Sequence, residues 1–450
     1  MLRKLSERLH LDRSLAFVLA TKIWQVVSGP ITIALIIGAM TLEEQGIYSG
    51  IVGIIGIQAL FELGLLNVLI SQAGHEISLV SGSGTDSSVV QHQSVLRMAE
   101  LVRASRRWFA IASLLFGLLA IAFGWFTFYG DPADDWQGPL VVLVPLSACA
   151  IFLSPSLAIL EGSGFREDIY RYRFFQIVTG SLVVWGGLLL GCKLWVLVFS
   201  AAVQAAWMGY LTYWRFRDFF HRFQNVDERP EQFSWNHDVV PIQWRAAVVS
   251  IVYYIATGLF TVIVIKFHSP TEAAPLGMTL SIVVAIQMLA LAWIQTKYPL
   301  VAALHGESKR EEAGTLWRQI AVVSSGLLVA GLAVLLAIIA LLPVAETWIG
   351  VALVPRFLSI GQLAMLSAGA VVNHVIAVQS FYVMSRRSSP LLMANLIGYG
   401  TVAMAVWAGG YLASISGLLA GYVIAMALVV LPLHTIAYLK FRIAGAAPDH

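Results

Sequence analysis

The sequence predicts an all-α polytopic membrane protein, with about twelve transmembrane helices in two six-helix lobes, residues 1–214 and 241–450, joined by a cytoplasmic linker at 215–240. Three observations predict it. The chain of 450 residues is 58% hydrophobic and only 12% charged, where a soluble domain carries roughly 25% charged residues. Its charges are excluded from long windows. The basic residues that remain cluster on one side of the membrane those windows imply.

The windows without Asp, Glu, Lys or Arg are 23–42, 45–61, 108–130, 136–160, 174–192, 194–214, 246–265, 273–296, 319–345, 357–385 and 388–439. A helix needs roughly 20 apolar residues to cross the hydrocarbon core. Only a helix satisfies its own backbone there, apart from a closed barrel. Ten windows read as one crossing each. The last breaks at Gly409, Gly410 and 414–417 and reads as a helical hairpin, which completes the twelve.

With the N-terminus inside, 22 of the 28 Lys and Arg residues fall on the cytoplasmic side, in clusters at 3–13, 97–107, 166–173, 215–229, 309–318, 386–387 and 440–442. Lys193, Lys266 and Arg356 fall outside, and Lys22, Arg245 and Lys297 lie within or at the edge of helices. This asymmetry places both termini in the cytoplasm of a multi-pass inner-membrane protein. Division of the basic residues among many short loops argues against a nucleic-acid partner. Cys149 and Cys192 are the only cysteines, so no disulfide framework or metal site is readable. No cleavable signal peptide is visible.

The outer connections are short and the inner ones longer. Segment 71–106 begins polar, with Ser81, Gly82, Ser83, Gly84 and Asp86. It ends in a basic amphipathic stretch, 95–107, expected to lie on the inner leaflet. Segment 215–240 has six predicted helices before it and six after. An offset of 231 residues aligns Gly46 with Gly277, Ala59 with Ala290 and Glu76 with Glu307, within 8 identities in 31 positions, which pairs helix 2 with helix 8.

Polar residues at depth are costly in lipid and carry the functional information. Lys22 lies nine residues past Arg13, and Glu62 nine before Ser71, so each sits roughly 13 Å in from the inner side at about 1.5 Å per residue. They form either a structural ion pair or a site where Lys22 meets an anionic ligand while Glu62 balances it or titrates. Gln25, Gln58 and Asn67 add polarity to the same helices. Lys297, beside Trp293, Gln295 and Tyr298, is a snorkelling interfacial lysine or a cavity cation. Arg245, in the string 241–245 (PIQWR), is an interfacial anchor or the same. Helices 1, 2, 7 and 8 would line a central cleft between two lobes, and three cations on them suit a diphosphate. Asn373 and His374 sit mid-helix as packing residues, or as a ligand or proton relay. Glu161 closes helix 4 at the inner face. No GxxxxGK[ST] loop and no HExxH is present.

The strings Gln45, Gly46, Ile47, Tyr48 and Phe61, Glu62, Leu63, Gly64, Leu65 resemble the helix 1–2 turn and helix 2 of bacterial polysaccharide flippases. These are O-antigen-type lipid-linked oligosaccharide carriers of the multidrug/oligosaccharidyl-lipid/polysaccharide (MOP) exporter superfamily. Leu160, Glu161, Gly162 with the basic residues after them are similar to its helix 4–5 connection, and 241–245 and 293–299 to a polysaccharide-biosynthesis branch. Segment 71–106 departs from the usual short inner loop. The resemblance implies a MOP exporter-like fold that moves a polyprenyl-diphosphate-linked oligosaccharide between leaflets by alternating access, without a cofactor. Substrate-binding candidates are then Lys22, Gln58, Glu62, Arg245, Lys297, Asn373 and His374. Membrane lipid, a polysaccharide polymerase and glycosyltransferases are the implied partners.

Two other classes stay open. A membrane glycosyltransferase or polymerase would use Glu43 and Glu44 as outer acids, although the outer connections are too short to build an acceptor site. A small-molecule exporter of the same superfamily would share the fold. The orientation is tested with single cysteines at Asp134 and Ser87 and a membrane-impermeant thiol reagent on intact cells. Asp134→Cys is expected to label and Ser87→Cys to stay protected. The reverse pattern would overturn the orientation.

Overall fold

The computed structural model describes residues 13–62, 65–81, 87–130, 136–224, 240–307, 309–384 and 391–444. Arg3, Lys4, Arg8, Leu63, Gly64, the Ser/Gly run 82–86, the outer connection 131–135, linker residues 225–239, Arg386 and Arg387 lie outside the described residues. No strand occurs among the described residues. In chain order the helices are α1 (Arg13–Ala39), α2 (Leu42–Ile55), α3 (Gln58–Glu62), α4 (Leu65–Ser81), α5 (Ser87–Phe128), α6 (Gln137–Gly162), α7 (Arg166–Leu189) and α8 (Trp195–Tyr210). They continue with α9 (Arg217–Gln224), α10 (Val240–Thr257), α11 (Phe260–Phe267), α12 (Pro270–Gly306), α13 (Arg310–Ile349), α14 (Ile360–Met384), α15 (Leu392–Ala425) and α16 (Leu431–Ala444).

Nine helical stretches among the described residues are long and apolar enough to cross a bilayer, and the bent pair of α10 and α11 makes a tenth. The stretch Leu392–Arg442 counted there as one is two arms. Helical geometry is lost at Ala413 (φ −144°, ψ 33°) and Ser414 (φ 49°, ψ −138°). Beyond that break the chain folds back on itself. A Cβ on Gly409 would meet the Gly417 carbonyl oxygen at 2.2 Å, and one on Gly421 the Ala405 oxygen at 2.5 Å. This is the hairpin the sequence predicts. With α7, whose first turns are too charged to qualify on hydropathy, the crossings among the described residues reach the expected twelve.

Two compact units emerge. The first comprises residues up to Met40 together with Ile54–Ala247, and the second Thr41–Gly53 with the chain from Val248 onward. The observed division differs from the sequence-based lobes 1–214 and 241–450 in two places: the first half of helix 2, Thr41–Gly53, belongs to the second unit, and the first unit runs on to Ala247.

In the first unit α6 is the central element. Of its most apolar stretch, 61% is buried, against 11–39% for the other long spans. Glycine permits its closest approach to α4, since a Cβ on Gly162 would lie 2.2 Å from the Ile70 carbonyl oxygen. α1 is zipped to α7 by paired indoles. Trp24 Nε1 donates to Ser181 Oγ at 3.2 Å, Trp185 Nε1 to Thr32 Oγ1 at 2.9 Å, and the two rings lie 5.9 Å apart.

The stretch 95–107, expected on the leaflet surface, is instead the start of a continuous 42-residue helix, α5. At about 1.5 Å per residue such a helix is roughly 60 Å long, about twice the hydrocarbon thickness. Leu96, Met98, Ala99, Leu101 and Val102 are buried in protein. Arg97 meets the buried Glu76 of α4 at 3.8 Å, and Arg106 stacks on Phe220 of α9 at 5.5 Å. The apolar face that looked membrane-seeking has protein to cover it.

In the second unit, α2 is held by the first resemblance motif. Gln45 is buried. Its Nε2 donates to the carbonyls of Ala274 (3.1 Å) and Arg356 (3.3 Å), and its Oε1 accepts from Arg356 Nη1 at 3.0 Å. Gly46 lies against Pro270, where a Cβ would come within 1.8 Å of the carbonyl oxygen. Farther along, Tyr254 Oη donates to the Gly53 carbonyl, and α10 and α11 bend by 51° beside it. α12, α13 and α14 share a core of Ile294, Val301, Trp317, Ile320 and Tyr382.

Gly46→Leu forces a side chain into backbone, which overpacking places at a cost of at least about 2 kcal/mol. The folded, monodisperse yield of this variant in detergent is expected to fall sharply. Gly38→Ala, at a glycine with open space around it, serves as the control and is expected to match the wild type.

Candidate substrate cavity

The first unit contains a cavity of 480 Å³ walled by α1, α3, α4, α6, α7 and α8. Its polar lining comes from Thr21 and Lys22 on α1, Glu62 at the end of α3, Ser154 on α6, Tyr170, Arg173 and Gln176 on α7, and Gln204 on α8. Val18, Leu66, Ile70, Leu157, Ala158, Ile177 and Met208 complete it. Each polar group arrives for a local reason. Helix 2 is interrupted at Gly56 and Ile57, where three-residue hydrogen bonds such as Ala59 N to Gly56 O (3.1 Å) replace the α-helical ladder, and α3 is only five residues long. That broken stretch ends at Glu62. Discontinuous helices of this kind expose backbone and side-chain polarity to a cavity where lipid would forbid it. Helix α7 begins at Arg166, so its second turn carries Tyr170 and Arg173 inward before the apolar stretch starts.

Two charges in this region are bound to each other. Glu161, buried at the end of α6, accepts from Tyr170 Oη at 2.6 Å through Oε1 and meets Arg173 Nη2 at 3.0 Å through Oε2. Arg173 also lies over the Tyr170 ring, 5.5 Å from its centroid, and its charge acts on Glu62. The structure brings the sequence-predicted Lys22 and Glu62 to the same cavity. Among the described residues it places no ion pair within 4 Å between them. Lys22 is exposed to the cavity and Glu62 half-buried. Gln58 is one turn from Glu62 on α3 but is not among the lining residues.

The remaining candidates lie elsewhere. Arg245 is on α10, and its side chain is outside the described residues. In the second unit, Lys297 on α12 stacks over Trp293 at 5.7 Å. Asn373 on α14 donates from Nδ2 to Tyr253 Oη (3.2 Å) and accepts from Tyr399 Oη (3.4 Å), and those two rings are 4.9 Å apart edge to face. His374 is buried. Ser324 Oγ donates to the Ala290 carbonyl at 2.7 Å and lies 3.1 Å from His374 Nε2. A hydroxyl has one proton, so His374 Nε2 carries the hydrogen toward Ser324. The imidazole ties α14 to α12 through α13, with Nδ1 left unpartnered. Glu44, on α2, is engaged in a reciprocal helix cap: its Oε2 accepts from Thr41 N (2.9 Å) while its own N–H donates to Thr41 Oγ1 (3.2 Å).

Sequence reasoning missed Arg173, Tyr170, Gln176 and Gln204. Arg173 abuts the charge-free window 174–192 and reads as the last loop charge. Gln204, alone at the centre of window 194–214, was the signal that could have found the cavity.

No protein-family model and no curated protein sequence matches the chain. Solved structures do. A MOP superfamily transporter from Pyrococcus furiosus, described as having a binding pocket of reversed polarity that suggests a different function, matches with a TM-score of 0.60 at 14% identity over 96% of both chains. The inward-facing conformation of a multidrug resistance MATE family transporter of the MOP superfamily matches with a TM-score of 0.53 at 16% identity, over 92% of this chain and 97% of that one. The chain therefore has the fold of these multi-pass membrane transporters.

The two charge arrangements make opposite stability forecasts. Glu161→Gln strands Arg173 beside a neutral partner. It is expected to cost about 1–3 kcal/mol, below the fully buried value because the Arg173 side chain is 45% exposed. Lys22→Gln removes no ion-pair partner and is expected to leave the melting temperature of the purified protein unchanged. A Lys22→Gln variant that melts as early as Glu161→Gln would show that Lys22 is a structural counter-charge.

Proposed function

We propose that this chain is an alternating-access transporter of the inner membrane, with both termini cytoplasmic. On this reading it moves a polyprenyl-diphosphate-linked oligosaccharide from the inner to the outer leaflet for polysaccharide biosynthesis. The observation that carries this reading is the cation pair in the first-unit cavity. Lys22 has no carboxylate within ion-pair distance among the described residues, and Arg173 meets Glu161 through Nη2, keeping further N–H groups for a ligand oxygen. Both can make charge-assisted hydrogen bonds to a phosphate. Arg245 and Lys297 are proposed as further cations along the path of the same diphosphate, with Gln58, Asn373 and His374 as polar neighbours. Tyr170, Gln176 and Gln204 offer the hydroxyl and amide groups that a sugar requires. Of the two acids a glycosyltransferase reading would use, Glu44 is engaged in capping a helix, which leaves Glu43 alone.

The second reading is a small-molecule exporter, favoured by the likeness to a multidrug resistance transporter and by Glu62, which would suit a cationic cargo. The two readings separate in proteoliposomes. Flipping of a short-chain polyprenyl-diphosphate oligosaccharide is followed by its accessibility to an added lectin, and dye efflux is followed in parallel. Lys22→Gln is expected to slow flipping about ten-fold or more, the worth of one charge-assisted hydrogen bond, while accumulating normally; Arg173→Gln is expected to slow it as far but to accumulate less, because it leaves the buried Glu161 unpaired. Glu43→Gln with Glu44→Gln keeps the cap, because glutamine serves in that position too, and is expected to flip normally. Dye efflux without lipid flipping by the wild type would select the exporter.

A further inference from the structure

Helices α7 and α8 present a second, unrelated surface. Between them runs an apolar groove of 460 Å³, lined by Tyr172 and Thr179 on α7 and Val203, Ala206, Trp207 and Tyr210 on α8. Two of its polar side chains, Thr179 and Trp207, are already engaged. Trp207 Nε1 donates to Thr179 Oγ1 at 3.0 Å, and the Thr179 hydroxyl donates to the Phe175 carbonyl at 2.7 Å. The rings of Tyr172, Trp207 and Tyr210 lie within 5.6–6.1 Å of one another and form a rigid aromatic wall. A lining so largely aromatic and aliphatic suits a hydrocarbon chain better than a sugar or an ion.

The end of the groove is different. Arg171 lies 5.3 Å from the centroid of Tyr172, although Asp168 takes its Nη2 at 3.1 Å. Just past the end of α8, the face of the groove continues to the exposed Trp214. There the chain makes a π-helical turn, Leu211–Arg215, that turns Arg215 outward onto Phe216. The exposed Arg217 and Arg222 follow on α9, whose Phe220 and Phe223 are buried. An aromatic belt with basic residues beneath it is the arrangement that meets an anionic lipid head group. We propose that the groove between α7 and α8 is a binding site for an anionic phospholipid, one hydrocarbon chain lying against Tyr172, Trp207 and Tyr210 and the phosphate against Arg215 and Arg171. This site is independent of the transported substrate.

The test uses the full-length protein in lipid nanodiscs containing trace phosphatidylglycerol or phosphatidylcholine, each with a diazirine in one acyl chain, and maps the crosslinked peptides by mass spectrometry. Phosphatidylglycerol is expected to label α7 and α8 about five-fold more than phosphatidylcholine for each contributing arginine, since one basic residue near an anionic lipid is worth about 1 kcal/mol. Ala206→Trp fills the groove and is expected to reduce that labelling to the phosphatidylcholine level. Arg171→Gln with Arg215→Gln leaves the groove open and is expected to abolish the preference between the lipids. Equal labelling by both lipids in the wild type, undiminished labelling in folded Ala206→Trp, or a preference that survives loss of both arginines would overturn the proposal. So would displacement of the probe by stoichiometric polyprenyl diphosphate, which would give the groove to the carrier lipid instead.

Discussion

The structure follows from one constraint: a backbone amide or carbonyl in hydrocarbon must find its partner inside the protein. Everything long among the described residues is helix, and several interruptions have a visible compensation. Tyr254 serves the Gly53 carbonyl where helix 2 loosens, and Ser269 caps α12 by accepting from Glu272 N at 3.2 Å. The Glu346 carboxylate receives the N–H groups of Leu353 and Val354 past the end of α13. The buried Gln45 amide does the same for two carbonyls at once. The interruptions therefore matter more than the helices. Between Gly53 and Gln58 the chain leaves one compact unit, enters the other and delivers Glu62 to the cavity wall.

Charges obey a parallel rule. A buried carboxylate is tolerated when it is neutralised and hydrogen-bonded. Glu161 has Arg173 and Tyr170, and Glu76 has Arg97. Lys22 is of another kind. It faces open volume, where water or a ligand supplies the solvation that the bilayer would withhold, and so it needs no permanent partner. On the proposed reading Lys22 is the cavity-facing charge of that second kind, and Arg173 belongs to both: it is paired with Glu161 and lines the cavity. His374 is buried and tied to Ser324.

Depth and windowing were nonetheless enough to read most of the architecture. Absence of charge marks a span because desolvation is expensive at every point along it, and so the crossings and the terminal hairpin were legible. Amphipathicity was less informative. The stretch 95–107 has an apolar face that either a leaflet or another helix can cover, and no local pattern distinguishes them. The cavity was half legible. Lys22 and Glu62 stand out as charges within apolar windows, whereas Arg173 hides at a window's edge because helix α7 starts two turns before its apolar stretch. Membership of Thr41–Gly53 in the second unit was illegible for a different reason. It rests on contacts of Gln45 and Gly46 with residues more than 200 positions away, which a one-dimensional reading cannot rank.

On the proposed reading, the pairing of Glu161 with Arg173 bears on how the cavity could both bind and release an anion. An arginine left bare in a partly dry cavity would carry a desolvation penalty in the empty state and would then hold a phosphate too firmly to let it go. Tied to Glu161, the same arginine is satisfied when the cavity is empty. An arriving phosphate then shares the guanidinium with Glu161, because the two anions take different N–H groups. The Tyr170 hydroxyl, already on Glu161, steadies the carboxylate while Arg173 is shared. On the proposed reading, affinity comes mainly from Lys22, and Arg173 supplies geometry and reversibility. A diphosphate, with more oxygens than one cation can satisfy, would engage both, whereas a singly charged small molecule would have little reason to disturb the pair of Glu161 and Arg173.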